Sequence, residues 1–321
     1  MNDASIIIVS YNTRDLLHRC LGSLERAAPG RHLETIVVDN GSLDGTVDLV
    51  RRDFPGVRLI ANDGNLGFTA ANNQALAISS GRFVLFLNPD AELMPDALAV
   101  MLAYLEANPR VGVVGPRLSF PDGRIQPSRR RFPTPVTALV ESTLVQRWWP
   151  RSPILQRFYL RDRSPGEVQE VDWLTGACLL ARREAIEAVD GFDERFFMYS
   201  EELDLCREIR NHGWSISFLP TARVIHHEGR SSGQNLARRA QTFNESKCRY
   251  FEKHYGPGVG RALRLYLLVN TTADLIEESL KLALRHRPEL RRERVGNLRR
   301  VVWFQWRRLR GESSVRRAKT S

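Results

Sequence analysis

The sequence predicts an α/β protein with a doubly wound, mostly parallel sheet and a helical C-terminal extension. In the first 118 residues, short apolar runs rich in β-branched residues alternate with segments of helical length and spacing. Repeated strand–helix units of this kind favour a parallel sheet with right-handed crossovers. Polar residues also follow the apolar runs, at the strand ends where such sheets bind ligands.

Each predicted strand is a compact apolar run, as expected for a strand covered on both faces. The runs are Ser5–Val9, Thr35–Val38, Val57–Ile60 and Phe83–Leu87. The predicted helices are Thr13–Ala27, Gly45–Arg52, Thr69–Ser79 and Pro95–Ala107. Thr13 and Thr69 are candidate N-caps, and Pro95 suits a first helical turn.

The middle of the chain changes in composition. Residues 119–170 contain many Pro and Arg residues and the pair Trp148-Trp149, which indicates a partly helical insertion over the site rather than a separate domain. Regular structure then resumes with Val171–Arg182, helices near Arg182–Val189 and Glu202–Asn211, and a strand pair at Trp214–Leu219 and Arg223–His226. These features predict a domain over 1–255, divided at 118 and 170, and a helical extension over 256–321.

The composition, 42% hydrophobic and 26% charged, excludes wholesale disorder. The four cysteines (Cys20, Cys178, Cys206 and Cys248) show no paired spacing, so we expect buried thiols in a cytosolic protein. The N-terminus has no signal-peptide pattern. The apolar stretch from Leu263 to Leu284 carries five charged residues, which argues against a transmembrane span.

The net charge of +10 is unevenly distributed. Residues 281–321 hold 14 Lys and Arg against 3 Glu, a balance of +11 that leaves residues 1–280 at −1. The same segment contains Trp303 and Trp306, and tryptophan beside arginine is typical of a membrane surface segment. We therefore predict contact with an anionic membrane through 281–321. A plain solvated tail is the alternative, and nucleic-acid binding is disfavoured because no such motif is recognised.

Two polar segments follow predicted strands. Asn88-Pro89-Asp90 places a carboxylate at a strand end, which suits a hard divalent cation bridging a diphosphate, although the same residues favour a turn. Asp39 heads a turn-rich segment and could accept hydrogen bonds from a base or ribose.

The later part of the chain supplies an acidic pair and a histidine pair. Glu201-Glu202 lies at a predicted helix start, where acids are favoured by the helix dipole but where one could also serve as a general base. His226-His227 ends a strand, so the two side chains point to opposite faces and at most one readily reaches the site. The signatures HExxH, P-loop and GxSxG are absent, which disfavours metalloproteases, kinase-like enzymes and α/β-hydrolases.

Seven segments are most informative in their order along the chain: SIIIVSYN, IVVDNGSLDGT, NLGFTAANN, FLNPDAEL, WLTGACLLARREA, GFDERFFMYSEELDLC and ARVIHHEG. Together they closely resemble family 2 glycosyltransferases of the GT-A fold, in the rhamnosyltransferase-like branch related to galactofuranosyltransferases. The resemblance covers roughly residues 4 to 255. It implies an inverting transfer of L-rhamnose from dTDP-rhamnose to a hydroxyl of a saccharide or polyprenyl-linked saccharide in cell-envelope polysaccharide synthesis.

The resemblance also implies roles for individual residues. The nucleotide-sugar donor would be bound in the half 1–118, by Ser10, Tyr11, Asn12, Asp39, Asn65, Gly67, Phe68, Asn88 and Asp90. Asp39 would contact the base or ribose. Asp90, the last carboxylate of the family's Asp-x-Asp motif, and His226 would bind Mg²⁺ or Mn²⁺, with His227 as the alternative ligand.

The half 171–255 would contain the acceptor site and the catalytic base. Trp173, Thr175, Gly176 and Glu201 would contact the acceptor, and Glu202 would be the base. Two positions depart from the family pattern. Asn88 replaces an Asp, which predicts weak metal binding without donor, and Glu202 stands where Asp is commoner, which shifts the base by one carbon–carbon bond.

Other functions stay open at this point. A UDP-sugar donor, carrying galactofuranose or another hexose, is the main alternative. A nucleotidyltransferase is disfavoured because Ser5–Thr13 has no glycine for a phosphate loop. A non-catalytic sugar-nucleotide-binding module is disfavoured by the presence of Asp90, Glu202 and His226. The expected location is the cytoplasm, at the inner face of the cell membrane.

Overall fold

The apolar runs form the centre of a ten-stranded sheet in the computed structural model, which describes residues 2–227 and 236–312. The chain divides into two units. The sheet unit comprises the described parts of residues 1–132 and 156–231, and the helical unit those of 133–155 and 232–321. The functional division at residues 118, 170 and 255 stays a prediction.

The strands of the described residues are β1 (Ala4–Ser10), β2 (Leu33–Asp39), β3 (Arg58–Ala61), β4 (Phe83–Leu87), β5 (Ala91–Leu93), β6 (Val111–Ser119), β7 (Ile125–Gln126), β8 (Arg129–Arg130), β9 (Gln169–Val171), β10 (Trp173–Leu174), β11 (Cys178–Arg182) and β12 (Ser215–His226). The helices are α1 (Arg14–Leu24), α2 (Thr46–Asp53), α3 (Phe68–Ile78), α4 (Ala97–Ala107), α5 (Pro135–Val140), α6 (Leu144–Trp148), α7 (Pro153–Phe158), α8 (Arg183–Glu187), α9 (Glu201–Asn211), α10 (Leu236–Tyr255), α11 (Pro257–Ala283) and α12 (Pro288–Leu309). The four strands predicted in the first half are all present.

The sheet order is β3-β2-β1-β4-β11-β6-β12-β5, with β7 beside β6 and β9 beside β12. The first four strands are parallel, as predicted. β11 is antiparallel to both of its neighbours, so the second half of the sheet is mixed. An apolar run buried on both faces carries no signal of strand direction, which is why the sequence could not predict this reversal.

Both faces of the sheet are covered by helices. Ile6 and Ile8 of β1 pack into one apolar core with residues of α1 and α4, and Ile7 and Val9 pack into the other with residues of α3 and α9. The alternation follows from the two-residue period of a strand. All residues of β1 and β4 are buried, which confirms the prediction from their continuous apolar runs.

The predicted strand pair near the end of the sheet unit is one strand, β12. Its pairing with β6 shifts register between Leu219 and Arg223, a segment that contains Pro220. Proline cannot donate a ladder hydrogen bond, so it produces an irregularity that the sequence pattern presents as a break. Antiparallel partners flank β12 at both ends, β9 near its start and β5 near its end.

The predicted helix caps are only partly correct. Thr13 precedes α1, but its hydroxyl lies 3.0 Å from Ser10 Oγ and makes no capping bond. α3 begins one residue before Thr69, whose hydroxyl donates to the carbonyl of Phe196 at 2.5 Å. α4 begins at Ala97, two residues after Pro95. The hydroxyl groups of both threonines therefore bond to residues outside the helices instead of capping them.

The helical unit contains α10, α11 and α12 packed against one another. α12 buries Val295 and Val301, and its Arg291 forms a buried ion pair with Glu278 of α11. Residues 288–309 are therefore an integral helix, which makes the plain-tail alternative wrong for this part of the chain. The rest of the predicted basic segment after Glu312 lies outside the described residues.

Two further expectations concern thiols and membrane spans. The four cysteines are free and buried, as predicted. Of the helices in residues 2–227 and 236–312, none has the length and apolarity that a bilayer crossing requires.

Candidate active site

The ends of β1 and β2 hold the first group of predicted donor residues together. Ser10 lies opposite Asp39 in the parallel register, and the carbonyl of Ser10 accepts the N–H of Asn40 at 2.8 Å. Asn12 has a left-handed backbone, with φ of 51°. Its N–H donates to Ser42 Oγ, and its side-chain oxygen accepts the N–H of Leu43, both at 2.8 Å. The two loops, with Tyr11 between Ser10 and Asn12, are thus fixed against each other.

Asp39 presents an open acceptor at this edge. The residue is only 1% exposed, and its Oδ2 accepts the N–H of Ser42 at 2.9 Å. Its Oδ1 is buried with no hydrogen-bond partner among the described residues. Because a buried polar atom without a partner is unfavourable, a ligand hydroxyl or N–H at this oxygen would stabilise the site.

The loop before α3 brings the next predicted donor residues alongside. Gly67 accepts a hydrogen bond from the Asn40 side chain at 3.1 Å, and its N–H donates to Asn65 Oδ1 at 3.0 Å. Its φ is 97°, and a Cβ there would lie 2.8 Å from the ring of Phe197. The N–H of Phe68 donates to the carbonyl of Phe197 at 2.7 Å. Both the positive φ and the lack of space require glycine at position 67. Through these bonds, the loop before α3 connects Asn40, next to Asp39, to Phe197 in the segment before α9.

The end of β4 places Asp90 beside His226. Both residues are 5% exposed, and Asp90 Oδ1 lies 3.3 Å from His226 Nε2. The contact follows from the pairing of β5 with β12, in which His226 lies opposite Ala91. Asn88 precedes this turn, and its N–H donates to the carbonyl of Ala177 at 2.9 Å.

The two histidines have different partners. His226 Nδ1 lies 2.9 Å from Gln126 Oε1, while His227 Nε2 lies 2.6 Å from Glu92 Oε1. An Nδ1–H donated to the Gln126 oxygen leaves the lone pair of His226 on Nε2, facing Asp90. In this tautomer, a cation placed between His226 Nε2 and Asp90 Oδ1 would be bound by both atoms. One carboxylate and one oriented imidazole therefore fit a divalent cation, with the remaining ligands to come from a diphosphate and water.

The start of α9 carries the acidic pair. Tyr199 and Ser200, just before it, have φ of 70° and 64°, a conformation that bulky residues rarely adopt. Glu201 and Glu202 each have a buried Oε2 with no hydrogen-bond partner among the described residues. A Cβ added to Gly176 would lie 3.2 Å from Glu202 Cβ, so the loop after β10 packs closely on this residue.

The two carboxyl groups differ in their surroundings. Burial raises the pKa of Glu202, and the backbone N–H of Gly176 and the positive charge of Arg130 oppose this rise. Burial and then the negative charge of Glu202 raise the pKa of Glu201 well above its usual range. The groups that favour ionisation face Glu202, so Glu202 loses its proton first and Glu201 retains one.

Three of the four predicted acceptor residues lie on β10 and the loop after it, and the fourth, Glu201, begins α9. Trp173 Nε1 donates to the carbonyl of Arg131 at 2.9 Å, and the N–H of Thr175 donates to that of Ser128 at 2.8 Å. Thr175 Oγ1 is buried without a hydrogen-bond partner among the described residues. The Trp173–Gly176 segment is therefore fixed by β8 and its flanking residues. It leaves the Thr175 hydroxyl open next to Gly176, the residue that packs on Glu202.

Sequence reasoning missed Arg130 and Gln126. The Arg130 guanidinium lies 5.0 Å from the ring centre of Tyr159 and 5.3 Å from that of Trp173, and it influences Glu202. Arginine is frequent in residues 119–170, so only the pairing of β8 with β10 distinguishes this one. Gln126 belongs to a two-residue strand that has no periodic signal.

Comparison with known proteins gives consistent matches. The family model described as "Glycosyl transferase family 2" matches residues 5–189. N-acetylglucosaminyl-diphospho-decaprenol L-rhamnosyltransferase of Mycobacterium tuberculosis is 33% identical over 263 residues, which are 78% of this chain and 85% of that protein. Rhamnosyltransferase WbbL of Escherichia coli (strain K12) is 28% identical over 70% of this chain and 85% of its own length.

A solved structure is similar over almost the whole chain. It is the mannosyltransferase PcManGT from Pyrobaculum calidifontis, in complex with GDP-Man and Mn²⁺. The TM-score is 0.56 at 17% identity, and the match covers 97% of this chain and 88% of that one. At this level of identity the likeness concerns the fold.

Proposed function

The chain belongs to glycosyltransferase family 2, and from this premise we propose that it is an inverting transferase of L-rhamnose from dTDP-rhamnose. The acceptor is a hydroxyl of a lipid-linked saccharide, the class that the name of the mycobacterial relative gives, and the product serves cell-envelope synthesis. The predicted family and GT-A fold class are confirmed. The observation that carries the mechanism is the buried acidic pair at the start of α9, with Glu202 packed on Gly176.

In the proposed reaction, Glu202 acts as the general base. Its carboxylate takes the proton of the acceptor hydroxyl while that oxygen bonds to the anomeric carbon of the donor. The bond from this carbon to the diphosphate breaks on the opposite face, so the configuration inverts and the nucleoside diphosphate leaves. The protonated Glu201 stays neutral beside it and can donate a hydrogen bond to the acceptor.

Donor binding is assigned to the ends of β1, β2, β3 and β4 and to the loops after them. The open Oδ1 of Asp39 would accept a hydrogen bond from the base or ribose. Asp90 and His226 would hold a divalent cation, Mg²⁺ or Mn²⁺. When bound, this cation supplies Lewis-acid stabilisation to the diphosphate leaving group. The Mn²⁺ in the structure of the mannosyltransferase PcManGT supports the choice of cation class.

The test is a panel of nucleotide sugars with Mg²⁺ or Mn²⁺ and a soluble N-acetylglucosaminyl diphosphate lipid analogue as acceptor. We expect release of nucleoside diphosphate from dTDP-rhamnose and its loss on addition of EDTA. If nucleoside diphosphate is released only from a UDP-hexose, that hexose and not rhamnose is the sugar transferred. If no donor is consumed and none raises the melting temperature in the presence of metal, the transferase proposal is wrong.

The pH dependence of turnover is a further prediction. Because Glu202 must be ionised and its pKa is raised, turnover should fall as the pH drops through that value, at higher pH than for an ordinary glutamate. Arg130→Gln removes a positive charge that lowers the pKa of Glu202. In this variant the acidic limb of the pH profile of turnover should therefore move to still higher pH. Arg130→Lys keeps the charge and should retain the wild-type limb. The measurement is kcat/KM against pH, and an unmoved limb in Arg130→Gln would contradict the assignment.

Contact with the inner face of the membrane is part of the proposal, and α11 offers a surface for it. Five large apolar side chains on or directly after this helix are more than half exposed: Leu265, Val269, Ile276, Leu280 and Leu284. Their spacing places them on one face. On α12, Trp303 and Trp306 are exposed. The guanidinium carbon of Arg307 lies 4.6 Å from the ring centre of Trp303, and that of Arg310 lies 4.5 Å from the ring centre of Trp306. Apolar, aromatic and cationic groups together suit an anionic bilayer surface.

Point variants test this contact better than removal of the C-terminal segment, because α12 is packed into the helical unit. The double variant Ile276→Glu/Leu280→Glu should reduce co-sedimentation with phosphatidylglycerol vesicles at least about tenfold, since each buried apolar side chain contributes about 1.5–3 kcal/mol. Val168→Glu, at an exposed apolar residue of the sheet unit, is the matched control. Equal sedimentation of the double variant and the control would rule out this surface.

A further inference from the structure

A cavity of about 240 Å³ lies in the sheet unit, apart from the residues assigned to the donor. Four arginines line it, Arg117, Arg129, Arg161 and Arg163, together with apolar side chains such as Tyr159 and Phe218. None of the residues proposed to bind the nucleotide sugar contributes to its wall. The cavity is therefore a candidate for a second ligand.

The positive charge of this cavity is not neutralised locally. In residues 2–227 and 236–312, none of the four arginines has a carboxylate within ion-pair distance. Arg117 and Arg163 donate to the carbonyls of Pro165 and Glu170. Asp162 acts on Arg129 only as a nearby charge. A concave surface lined by several arginines that have no carboxylate partner attracts an anion.

Arg129 is a buried arginine of the cavity wall whose guanidinium is held in place by hydrogen bonds. It is 8% exposed, and its guanidinium donates to the carbonyls of Ser164 and Arg163 at 3.1 and 2.7 Å and to Gln169 Oε1 at 2.5 Å. All of these acceptors are neutral. Burial of a charge is unfavourable unless an opposite charge compensates it, so an anionic ligand would stabilise this arrangement.

The cavity adjoins both halves of the proposed reaction centre. Gln126 lines it and lies 2.9 Å from His226, the partner of Asp90. Ser128 also lines it, and its carbonyl holds Thr175, one residue before the Gly176 that packs on Glu202. A group bound here would lie close to the predicted acceptor residues, on the far side of His226 from Asp90.

We propose that this cavity binds the diphosphate of the lipid-linked acceptor, a second diphosphate site distinct from that of the donor. The inference rests on the proposed function, because it takes the acceptor to be a saccharide joined to a lipid through a diphosphate. Guanidinium groups match phosphate oxygens in geometry and charge. Binding there would place the sugar next to the diphosphate within reach of Glu202 and would select diphosphate-linked acceptors over neutral glycosides.

The test measures binding without turnover, by calorimetry in EDTA. The ligands are an alkyl N-acetylglucosaminyl diphosphate, the matched neutral alkyl N-acetylglucosaminide, and dTDP. Arg117→Gln and Arg161→Gln remove charge from the wall, and Arg124→Gln, an exposed arginine of the same hairpin paired with Asp122, is the control. We avoid Arg129 because its hydrogen bonds support the fold.

The wild type and Arg124→Gln should bind the diphosphate analogue at least about tenfold more tightly than the neutral one. Each cavity variant should lose about tenfold for the diphosphate analogue alone, with binding of the neutral analogue and dTDP unchanged. Equal affinity of the wild type for both analogues would overturn the proposal. Loss of dTDP binding would assign the cavity to the donor. Loss of co-sedimentation with phosphatidylglycerol vesicles alone, measured for the same variants, would assign it to a lipid headgroup; either result overturns the proposal.

The proposed function has a separate readout. Rhamnose transfer to the neutral glycoside tests the transferase without using the cavity. If transfer fails with every acceptor while the arginine-dependent binding persists, the proposed function is wrong and the diphosphate site stands. If transfer occurs with both acceptors at equal efficiency in the wild type and all variants, the transferase stands and the site is wrong.

Discussion

Replacing Glu202 by Gln is expected to lower kcat by about 100- to 10,000-fold, the range that general-base catalysis contributes, and to leave donor binding unchanged. Gln has the shape of Glu but cannot take the proton of the acceptor hydroxyl. The variant should fold at least as well as the wild type, because burial already disfavours the charge at this position. Steady-state kinetics, donor titration and thermal unfolding measure the three expectations.

Two comparison variants make this result specific. Glu201→Gln removes the neighbouring carboxyl, which stays protonated in our assignment, so its main effect should be on KM for the acceptor. Glu187→Gln changes an exposed carboxylate of α8 and should behave as wild type. If Glu201→Gln loses turnover and Glu202→Gln retains it, the roles of the two residues are reversed.

Replacing Asp90 by Asn is expected to lower metal-dependent turnover at least about 100-fold. A Lewis acid at a leaving group contributes several kcal/mol, and about 1.4 kcal/mol is a factor of ten in rate. Asp90 provides the carboxylate of the proposed pair, and an amide oxygen is a weaker ligand for a hard cation. The substitution preserves the volume of a buried side chain, so the fold should be retained.

Metal binding gives this prediction a readout besides activity. Titration with Mn²⁺, followed by electron paramagnetic resonance in the presence of dTDP, should show weaker binding by Asp90→Asn. Asp48→Asn, at an exposed position of α2, is the control and should bind Mn²⁺ as the wild type does. Unchanged Mn²⁺ affinity in Asp90→Asn would place the cation elsewhere.

The fold of the first half could be predicted from the sequence because the signals are local. Burial on both faces makes β1 and β4 continuous apolar runs, and the parallel arrangement of β1 to β4 follows from the alternation with helices. Two features could not be predicted: that β11 is antiparallel to its neighbours, and that β12 is one continuous strand instead of a strand pair. Strand direction depends on the path of residues far away in sequence, and the register shift at Pro220 gives the same pattern as a turn.

The chemical residue types of the site were visible in the order of the motifs. Asp39, Asp90, Glu202 and the histidine pair all lie at or next to the ends of recognisable elements, and the order of their motifs identified the family. Their assigned roles stay proposals. What the sequence could not decide was the histidine beside Asp90, because adjacent strand residues differ only in the face to which they point.

By itself, then, the sequence determined the family, the fold class and the candidate reactive groups. The tertiary structure alone decided that the β5–β12 register places His226 against Asp90 and that the β8–β10 pairing brings Arg130 towards Glu202. It also decided that four arginines of unremarkable sequence context line one cavity. The physical reason is that residue type and periodicity are local properties, whereas the distance between two charges depends on the packing of the whole chain.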